Sequence, residues 1–196
     1  MFKKVNITET HLRVLALFTR SFTRDYYIRE VQKLLGTSSR TALLVLSDLE
    51  KKGVLESARR GKIKSYRIKK GGIAWRYLTV AEEYKAISFL ENHPLIKEVT
   101  EKIIPSIHGI GTIFGSYAKG LERKDSDLDL FVAGECQRKK VAATAKIYGI
   151  DISLKQYPLA AFREGIRKDF LIKEVLDSHV VLLGAGEFVR MALEHG

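Results

Sequence analysis

Apolar residues in the first part of the chain recur at helical spacing, which predicts two helices before Gly36. Thr8 is placed to cap a first helix that runs to about Arg20, with its leucines and Phe18 on one face. Asp25 is placed to cap a second helix. Gly36 is expected to end that helix, because glycine readily adopts the left-handed conformation that closes many helices.

A third helix and a hairpin follow in the pattern. Ser38 or Ser39 is placed to cap the helix, which is expected to end at Gly53. The residues after Gly53 alternate between apolar and polar around Arg60-Gly61, as the two strands of a hairpin do. The apolar residues of the third helix that we expect in the core are Leu43, Leu46 and Leu49.

The remaining chain mixes helices with short strands, which predicts an α+β fold. Residues 73–104 have helical spacing with an interruption near Pro94. The run from Ile107 to Phe114 reads as a buried strand, and Gly115-Ser116 as a turn into a short helix. The stretch "DLDLFVA" predicts a second strand, because acidic and apolar residues alternate along it. We therefore expect a small mixed sheet with flanking helices.

Charge is unevenly distributed between the two ends of the chain. Residues 1–72 contain 17 Lys and Arg against 6 Asp and Glu, whereas the residues after them contain 17 of each class. The whole excess of +11 therefore lies before the paired glycines at the end of "KKGG". This asymmetry predicts a polyanion-binding module, 1–72, a helical linker or interface, 73–104, and a neutral domain, 105–196.

Composition places the chain among cytoplasmic proteins. Hydrophobic residues make up 45% and charged residues 29%, and no apolar run approaches the roughly 20 residues of a membrane helix. The start, Met1 to Ile7, is too short and too polar for a secretory signal. A single cysteine, Cys136, excludes an internal disulfide.

The order of three helices and a basic hairpin over residues 8–70 resembles a winged helix-turn-helix. The resemblance rests on "REVQKLLGTSSRTALLVLSDLEKKGVL" and on the hairpin ending in "SYRI". In that family the third helix enters the DNA major groove and the wing touches the backbone or minor groove, commonly in a dimer. The resemblance implies double-stranded DNA as a partner and a homodimer. The DNA-contacting residues that it implies are Ser38, Ser39, Arg40, Thr41 and Ser47 on the helix and Arg59, Arg60, Lys62 and Lys64 on the wing.

A second interpretation of this module remains open. The same scaffold also serves protein contacts, and serine or threonine at a helix start can be a cap and nothing more. The basic hairpin and the local excess of charge favour nucleic acid.

Two aspartates mark the candidate chemistry of the second half. Residues two apart on a strand share a face, so Asp127 and Asp129 project together while Leu128 and Leu130 face the core. Two such carboxylates repel each other unless a cation lies between them, and hard divalent ions such as Mg²⁺ prefer oxygen ligands. Paired Mg²⁺ ions suit displacement at phosphorus. Alone, Asp-x-Asp is more often a solvated strand start; together with Gly115-Ser116 it predicts a metal and phosphate site.

The segment "GSYAKGLERKDSDLDL" resembles the signature of polymerase-β-like nucleotidyltransferases, and more closely the minimal nucleotidyltransferases that include antitoxin partners of HEPN toxins. The resemblance spans about residues 105–190. It implies that Gly115 and Ser116 bind a nucleoside triphosphate and that Asp127 and Asp129 hold two Mg²⁺ ions, with Mn²⁺ as an alternative. It also implies a third catalytic and metal-binding carboxylate, which we assign to Asp151 in "YGIDISLK".

Two basic residues near the turn have two interpretations. Lys119 and Arg123 are close enough in sequence to Gly115-Ser116 to contact the triphosphate. Equally, they can be solvated charges on a helix face.

The resemblance implies transfer of a nucleotide, AMP from ATP or another nucleotide from its triphosphate, to a hydroxyl group. Its leading acceptor is a partner protein, such as a HEPN-type toxin, with the DNA-binding arm repressing the promoter of the pair. One alternative is a transcriptional regulator that senses nucleotide without transferring it. Another is transfer to RNA or to a small molecule.

Overall fold

The computed structural model describes residues 5–61, 63–123 and 125–195. The chain forms two compact units, here called the N-terminal unit, 1–81, and the C-terminal unit, 82–196. The division falls inside a long helix, α4 (Gly72–Asn92), and not at the glycine pair where the sequence predicts it.

Three helices open the N-terminal unit, as predicted: α1 (Glu9–Phe18), α2 (Ile28–Leu35) and α3 (Ser39–Lys51). Thr8 caps α1, and the Ser38 hydroxyl caps α3 by accepting a hydrogen bond from the Thr41 amide. The predicted cap Asp25 is wrong, because α2 begins after Tyr27. Asp25 instead accepts a hydrogen bond of 2.9 Å from the Ser65 hydroxyl.

A three-stranded antiparallel sheet completes this unit, in the order β1–β3–β2. Its strands are β1 (Tyr26–Tyr27), β2 (Leu55–Arg60) and β3 (Ile63–Ile68), and the last two form the predicted hairpin. The strand β1 is too short to show as a pattern, but Tyr26 is buried and donates a hydrogen bond of 2.8 Å to the Leu17 carbonyl. Leu46 and Leu49 lie in the core as expected, whereas Leu43 is 43% exposed and its predicted burial is wrong.

The predicted linker region is helical and belongs in part to the C-terminal core. Helix α4 is followed by α5 (Pro94–Ile103), with proline in its first turn. The residues Ile96, Val99 and Ile103 of α5 are buried in the two apolar clusters of the C-terminal unit. The second half of this region is therefore part of a folded domain.

The sheet of the C-terminal unit is mixed, as the sequence predicts. Its strands are β4 (Ile107–Phe114), β5 (Leu128–Cys136), β6 (Ile152–Tyr157) and β7 (Val180–Leu183), in the order β6–β5–β4–β7. Strand β4 is antiparallel to β5 and β7, whereas β5 and β6 are parallel. Leu128, Leu130 and Val132 face the apolar clusters that include α5, and Asp129 and Phe131 alternate with them along β5.

Besides α5, five described helices flank this sheet: α6 (Gly115–Lys119), α7 (Arg138–Tyr148), α8 (Leu159–Gly165), α9 (Phe170–Asp177) and α10 (Ala185–His195). The sequence did not indicate α8 and α9. The unit is a mixed α+β domain, as predicted. Within the part of the chain that the structure describes, no helix has the length and apolar character needed to cross a membrane.

Candidate active site

The glycine turn between β4 and α6 brings backbone and carboxylate into close contact. Gly115 has φ of 69°, a left-handed conformation that favours glycine. A Cβ atom at this position would lie 2.9 Å from Asp129 Cγ and 3.2 Å from Asp129 Cβ. Phe114 pairs with Asp129 in the β4–β5 ladder, which explains the contact. Any side chain at 115 would displace this carboxylate.

The two predicted aspartates lie together at the start of β5. Asp129 is half-buried and Asp127 is exposed. Burial raises the pKa of the Asp129 carboxyl, and the negative charges of Asp127 and Glu174 raise it further. Among the described residues no lysine, arginine or histidine forms an ion pair with either aspartate. The site is thus a pair of acidic side chains that no described basic side chain contacts.

Asp151 lies at the neighbouring parallel strand. The first residue pair of the β5–β6 ladder is Leu128 with Ile152, so Asp127 and Asp151 each directly precede it. The Asp151 carbonyl accepts a hydrogen bond of 2.8 Å from the Leu128 amide, and its side chain is exposed. Its role as the third carboxylate stays a prediction.

Three further side chains influence the pKa of Asp129 and were not anticipated from the sequence. Ser153 lies opposite Asp129 on β6 and donates a hydrogen bond to it. The positive charge of Lys155, two residues along β6, favours the ionised form of Asp129. Glu174 of α9 adds negative charge. The alternation of "DISLK" could have indicated Ser153 and Lys155, whereas no local pattern indicates Glu174.

The two basic candidates of the turn have different surroundings. Lys119, at the end of α6, lies 3.0 Å from the Glu174 carboxylate and is thereby fixed beside the site. Arg123 is exposed in the loop after α6, where its amide donates a hydrogen bond to the Ser126 hydroxyl. Arg123 also lines a cavity of about 330 Å³, together with His93, Tyr117 and Glu122. The structure therefore associates Lys119, and not Arg123, with the acidic cluster.

The acidic pair can hold a divalent ion only with help from other oxygen atoms. Among the described residues, no group of three or more His, Cys, Asp and Glu side chains is placed to hold a metal ion. Mg²⁺ in nucleotide sites is commonly bound by one or two carboxylates together with substrate phosphates and water. Asp127 and Asp129 fit that requirement, because the charge of Asp127 acts on Asp129 and neither carboxylate forms an ion pair with a described Lys, Arg or His side chain.

Four of the predicted DNA-contacting residues of α3 lie around its first turn, and Ser47 lies further along the helix. Ser38, Ser39 and Arg40 are exposed, and Thr41 and Ser47 are partly exposed. The Ser38 and Thr41 hydroxyl oxygens are 2.9 Å apart, and the Ser39 hydroxyl donates to the Gln32 side chain. Ser38 thus caps the helix and Ser39 contacts α2, which leaves Arg40 as the exposed cation of this turn.

The predicted wing residues that the structure describes differ in solvent exposure and in ion pairing. Arg59 is exposed on β2, Arg60 ends that strand, and Lys62 lies outside the described residues. Lys64 instead lies 2.7 Å from the Glu50 carboxylate and 4.6 Å from the ring centre of Tyr66. It is therefore already paired within the domain.

Comparison with known proteins gives one assignment. Residues 111–182 match the family model described as a nucleotidyltransferase domain, a range that includes the glycine turn, the acidic pair, Asp151 and Glu174. The match supports a nucleotidyltransferase in this part of the chain, with a nucleoside triphosphate as substrate.

Two other comparisons add little. No curated protein matches the chain. A solved structure of TrmBL2, described as an archaeal chromatin protein with a novel mode of DNA binding, is similar at 14% identity. That similarity covers 86% of this chain and 69% of that chain with a TM-score of 0.29, too low to establish a shared fold.

Proposed function

We propose that the C-terminal unit transfers a nucleotide, AMP from ATP in the first instance, to a hydroxyl group. The observation that carries this proposal is the packing of the Asp129 carboxylate against Gly115, with the charge of Asp127 acting on it, inside the segment that matches nucleotidyltransferase domains. In the reaction the acceptor oxygen forms a bond to the α-phosphorus, the bond to the β-phosphate oxygen breaks, and pyrophosphate leaves with that electron pair.

We assign each residue of the site a role that its position supports. Asp127 and Asp129 hold Mg²⁺, which when bound neutralises charge on the phosphates and polarises the phosphoryl oxygens. Gly115 allows the triphosphate to approach the backbone, and the Ser116 hydroxyl donates to a phosphate oxygen. Lys119, held by Glu174, provides positive charge beside the turn. Asp151 accepts the proton of the attacking hydroxyl.

The proposal extends to the N-terminal unit, which we infer to be a winged helix-turn-helix that binds double-stranded DNA as a homodimer. Three helices, a hairpin and the basic excess before residue 72 support it. A partner protein of the HEPN toxin type is the proposed acceptor, and the DNA-binding unit would repress the promoter of the pair.

Transfer is tested by incubating the protein with each labelled nucleoside triphosphate, Mg²⁺ and cell lysate. We expect a labelled protein band with the wild type and none with Asp127→Asn/Asp129→Asn. The matched control is Asp125→Asn, which removes an exposed carboxylate two residues earlier and should leave transfer intact. A labelled RNA or small molecule would instead identify a different acceptor, and full activity of the double variant would exclude these residues as catalytic.

One observation favours a second function, a regulator that senses nucleotide without transferring it. Asp151 is exposed, and the described residues contain no three-carboxylate metal group. This alternative predicts DNA binding that depends on ATP and Mg²⁺, without release of pyrophosphate. The same incubation separates the two, because pyrophosphate release is measured in parallel.

A further inference from the structure

An exposed aromatic ring lies on the helix that borders the acidic cluster. Phe170 begins α9 and is 83% exposed, the highest value among the large apolar side chains that the structure describes. Exposure of a phenylalanine leaves apolar surface in water, a cost that ligand binding would relieve. The neighbouring residues Ile172 and Val175 of α9 are buried, so α9 is anchored through its other face.

The position of Phe170 relative to the site follows from helix geometry. Residues four apart in a helix are neighbours, with Cβ atoms about 5–6 Å apart. Phe170 and Glu174 are such a pair, and the Glu174 carboxylate lies 3.0 Å from Lys119 Nζ of α6. The charge of Glu174 also acts on Asp129. The face of α9 that carries Phe170 therefore borders the space above the glycine turn and the acidic pair.

We propose that Phe170 is the surface on which the base of the nucleoside triphosphate stacks. This inference rests on the proposed nucleotide site, and it adds a residue that would bind the base, whereas the turn and the aspartates would bind the phosphates. An aromatic ring stacks on every nucleobase, because each base has a π-face. Lys119 draws the phosphates to the same edge of α9, so ring and cation can engage two parts of one nucleotide.

The inference predicts that Phe170 discriminates nucleotides from base-free phosphates. Isothermal titration with Mg²⁺ present compares ATP with inorganic tripolyphosphate. In Phe170→Ala we expect ATP affinity to fall about 5- to 150-fold, the range for loss of one stacked base, with tripolyphosphate affinity unchanged. Phe170→Trp should keep or strengthen ATP binding. The matched control is Ile147→Ala on α7, which removes another side chain, 79% exposed, from the opposite side of the sheet.

The outcomes separate this inference from the proposed function. If wild type and Phe170→Ala bind ATP equally, the stacking role is wrong and the nucleotide site stands. If the wild type binds neither ATP nor tripolyphosphate, both proposals fail. A change in sedimentation of Phe170→Ala with unchanged ATP binding would assign the ring to a protein contact and overturn the inference. Equal thermal unfolding of wild type and variant establishes that the exposed ring does not support the fold.

Discussion

The carboxylate of Asp129 fills the space in which a side chain of Gly115 would begin. A Cβ atom there would lie 2.9 Å from Asp129 Cγ, well inside van der Waals contact. The positive φ of Gly115 adds a second reason for glycine at this position. Glycine at position 115 thus permits both the turn and the position of the Asp129 carboxylate.

Gly115→Ala should therefore displace Asp129 and lower both stability and nucleotide binding. We expect about 1–2 kcal/mol from the left-handed conformation and a further 1–3 kcal/mol from the clash. Urea unfolding and ATP titration measure the two effects. Gly120→Ala is the matched control, because Gly120 has φ of 65° and nothing within 4 Å of its Cβ position. Equal losses in the two variants would show that the contact with Asp129 is unimportant.

Asp129 should reduce stability in the absence of metal and increase it when metal is bound. Its pKa is raised by burial, so the folded state favours the protonated form. Stability from this group is present below its ordinary pKa of 3.8 and is lost as pH rises through the raised value. At neutral pH, Asp129→Asn should unfold at a higher temperature than wild type without Mg²⁺, and transfer should fall about 100-fold or more.

Mg²⁺ provides the internal check on this prediction. Added with ATP, it should raise the unfolding temperature of the wild type more than that of Asp129→Asn, since only the former offers two carboxylates. Asp125→Asn should behave as wild type under both conditions, because Asp125 is exposed and lies outside the proposed metal-binding pair. An unfolding temperature of Asp129→Asn below that of wild type without metal would contradict the assignment.

Local pattern predicted most of the elements, and its failures have physical causes. The alternation around Leu128 and Asp129 is strong because one face of β5 is buried, and β5 formed as predicted. Asp25 failed as a cap because the two residues of β1 pair with β3, a contact far away in sequence. Leu43 has helical spacing with the core residues but is not covered by packing in its own unit.

The candidate site was predictable only where its residues are close in sequence. Gly115 and Asp129 come from one short motif, which was enough to place both residues in the same candidate site. Glu174 reaches the cluster through α9, which the sequence did not indicate, and its contact with Lys119 joins residues 55 positions apart. Ser153 depends on the parallel register of β5 and β6, which tertiary structure sets.

The wing offers a test of which cations contact DNA. Arg59 is exposed, whereas the ion pair with Glu50 holds Lys64 and raises the pKa of its ammonium group. Arg59→Ala should weaken DNA binding and reduce the slope of log affinity against log salt by about 0.9, the value for one phosphate contact. Lys64→Ala should change that slope little and lower stability by at most about 1 kcal/mol.

Fluorescence titration of labelled duplex at several salt concentrations measures both slopes. If Lys64→Ala reduced the slope as much as Arg59→Ala, the ion pair with Glu50 would have to open when DNA binds. The predicted loss for the fourfold change of Arg59, Arg60, Lys62 and Lys64 to alanine is larger still, and an unchanged affinity would place the DNA surface elsewhere.

A buried charged cluster supports the C-terminal unit away from the candidate site. Glu82 and His179 are 0% and 3% exposed, and Lys85 Nζ lies 3.0 Å from Glu82 and 3.1 Å from His179 Nε2. His179 Nδ1 is 2.9 Å from the Val175 carbonyl oxygen, and His179 Nε2 is 3.2 Å from the Glu82 carboxylate. Burial lowers the pKa of His179, with the Lys85 charge acting in the same direction.

Loss of Glu82 from this cluster should strongly reduce stability. Removing one partner of a buried ionic group lowers the free energy of unfolding by about 3–5 kcal/mol, so Glu82→Gln should be much less stable than wild type. The control is Glu187→Gln, which removes one partner of a more exposed pair with Arg190 and should change stability little. Because the pKa of His179 is lowered in the folded state, stability is complete above its ordinary value of 6.5 and falls as pH drops below it.

His179→Gln should therefore be less stable than wild type at pH 8 but lose less stability between pH 7 and pH 5. Urea unfolding at a series of pH values measures this slope directly. Because the pKa of His179 is lowered in the folded state, the unfolded chain binds a proton at His179 more readily than the folded wild type in that interval. The difference in slope between wild type and variant therefore belongs to this residue. An identical pH dependence in wild type and variant would mean that the folded protein protonates His179 as readily as the unfolded chain does, with Glu82 stabilising the imidazolium against the effect of burial.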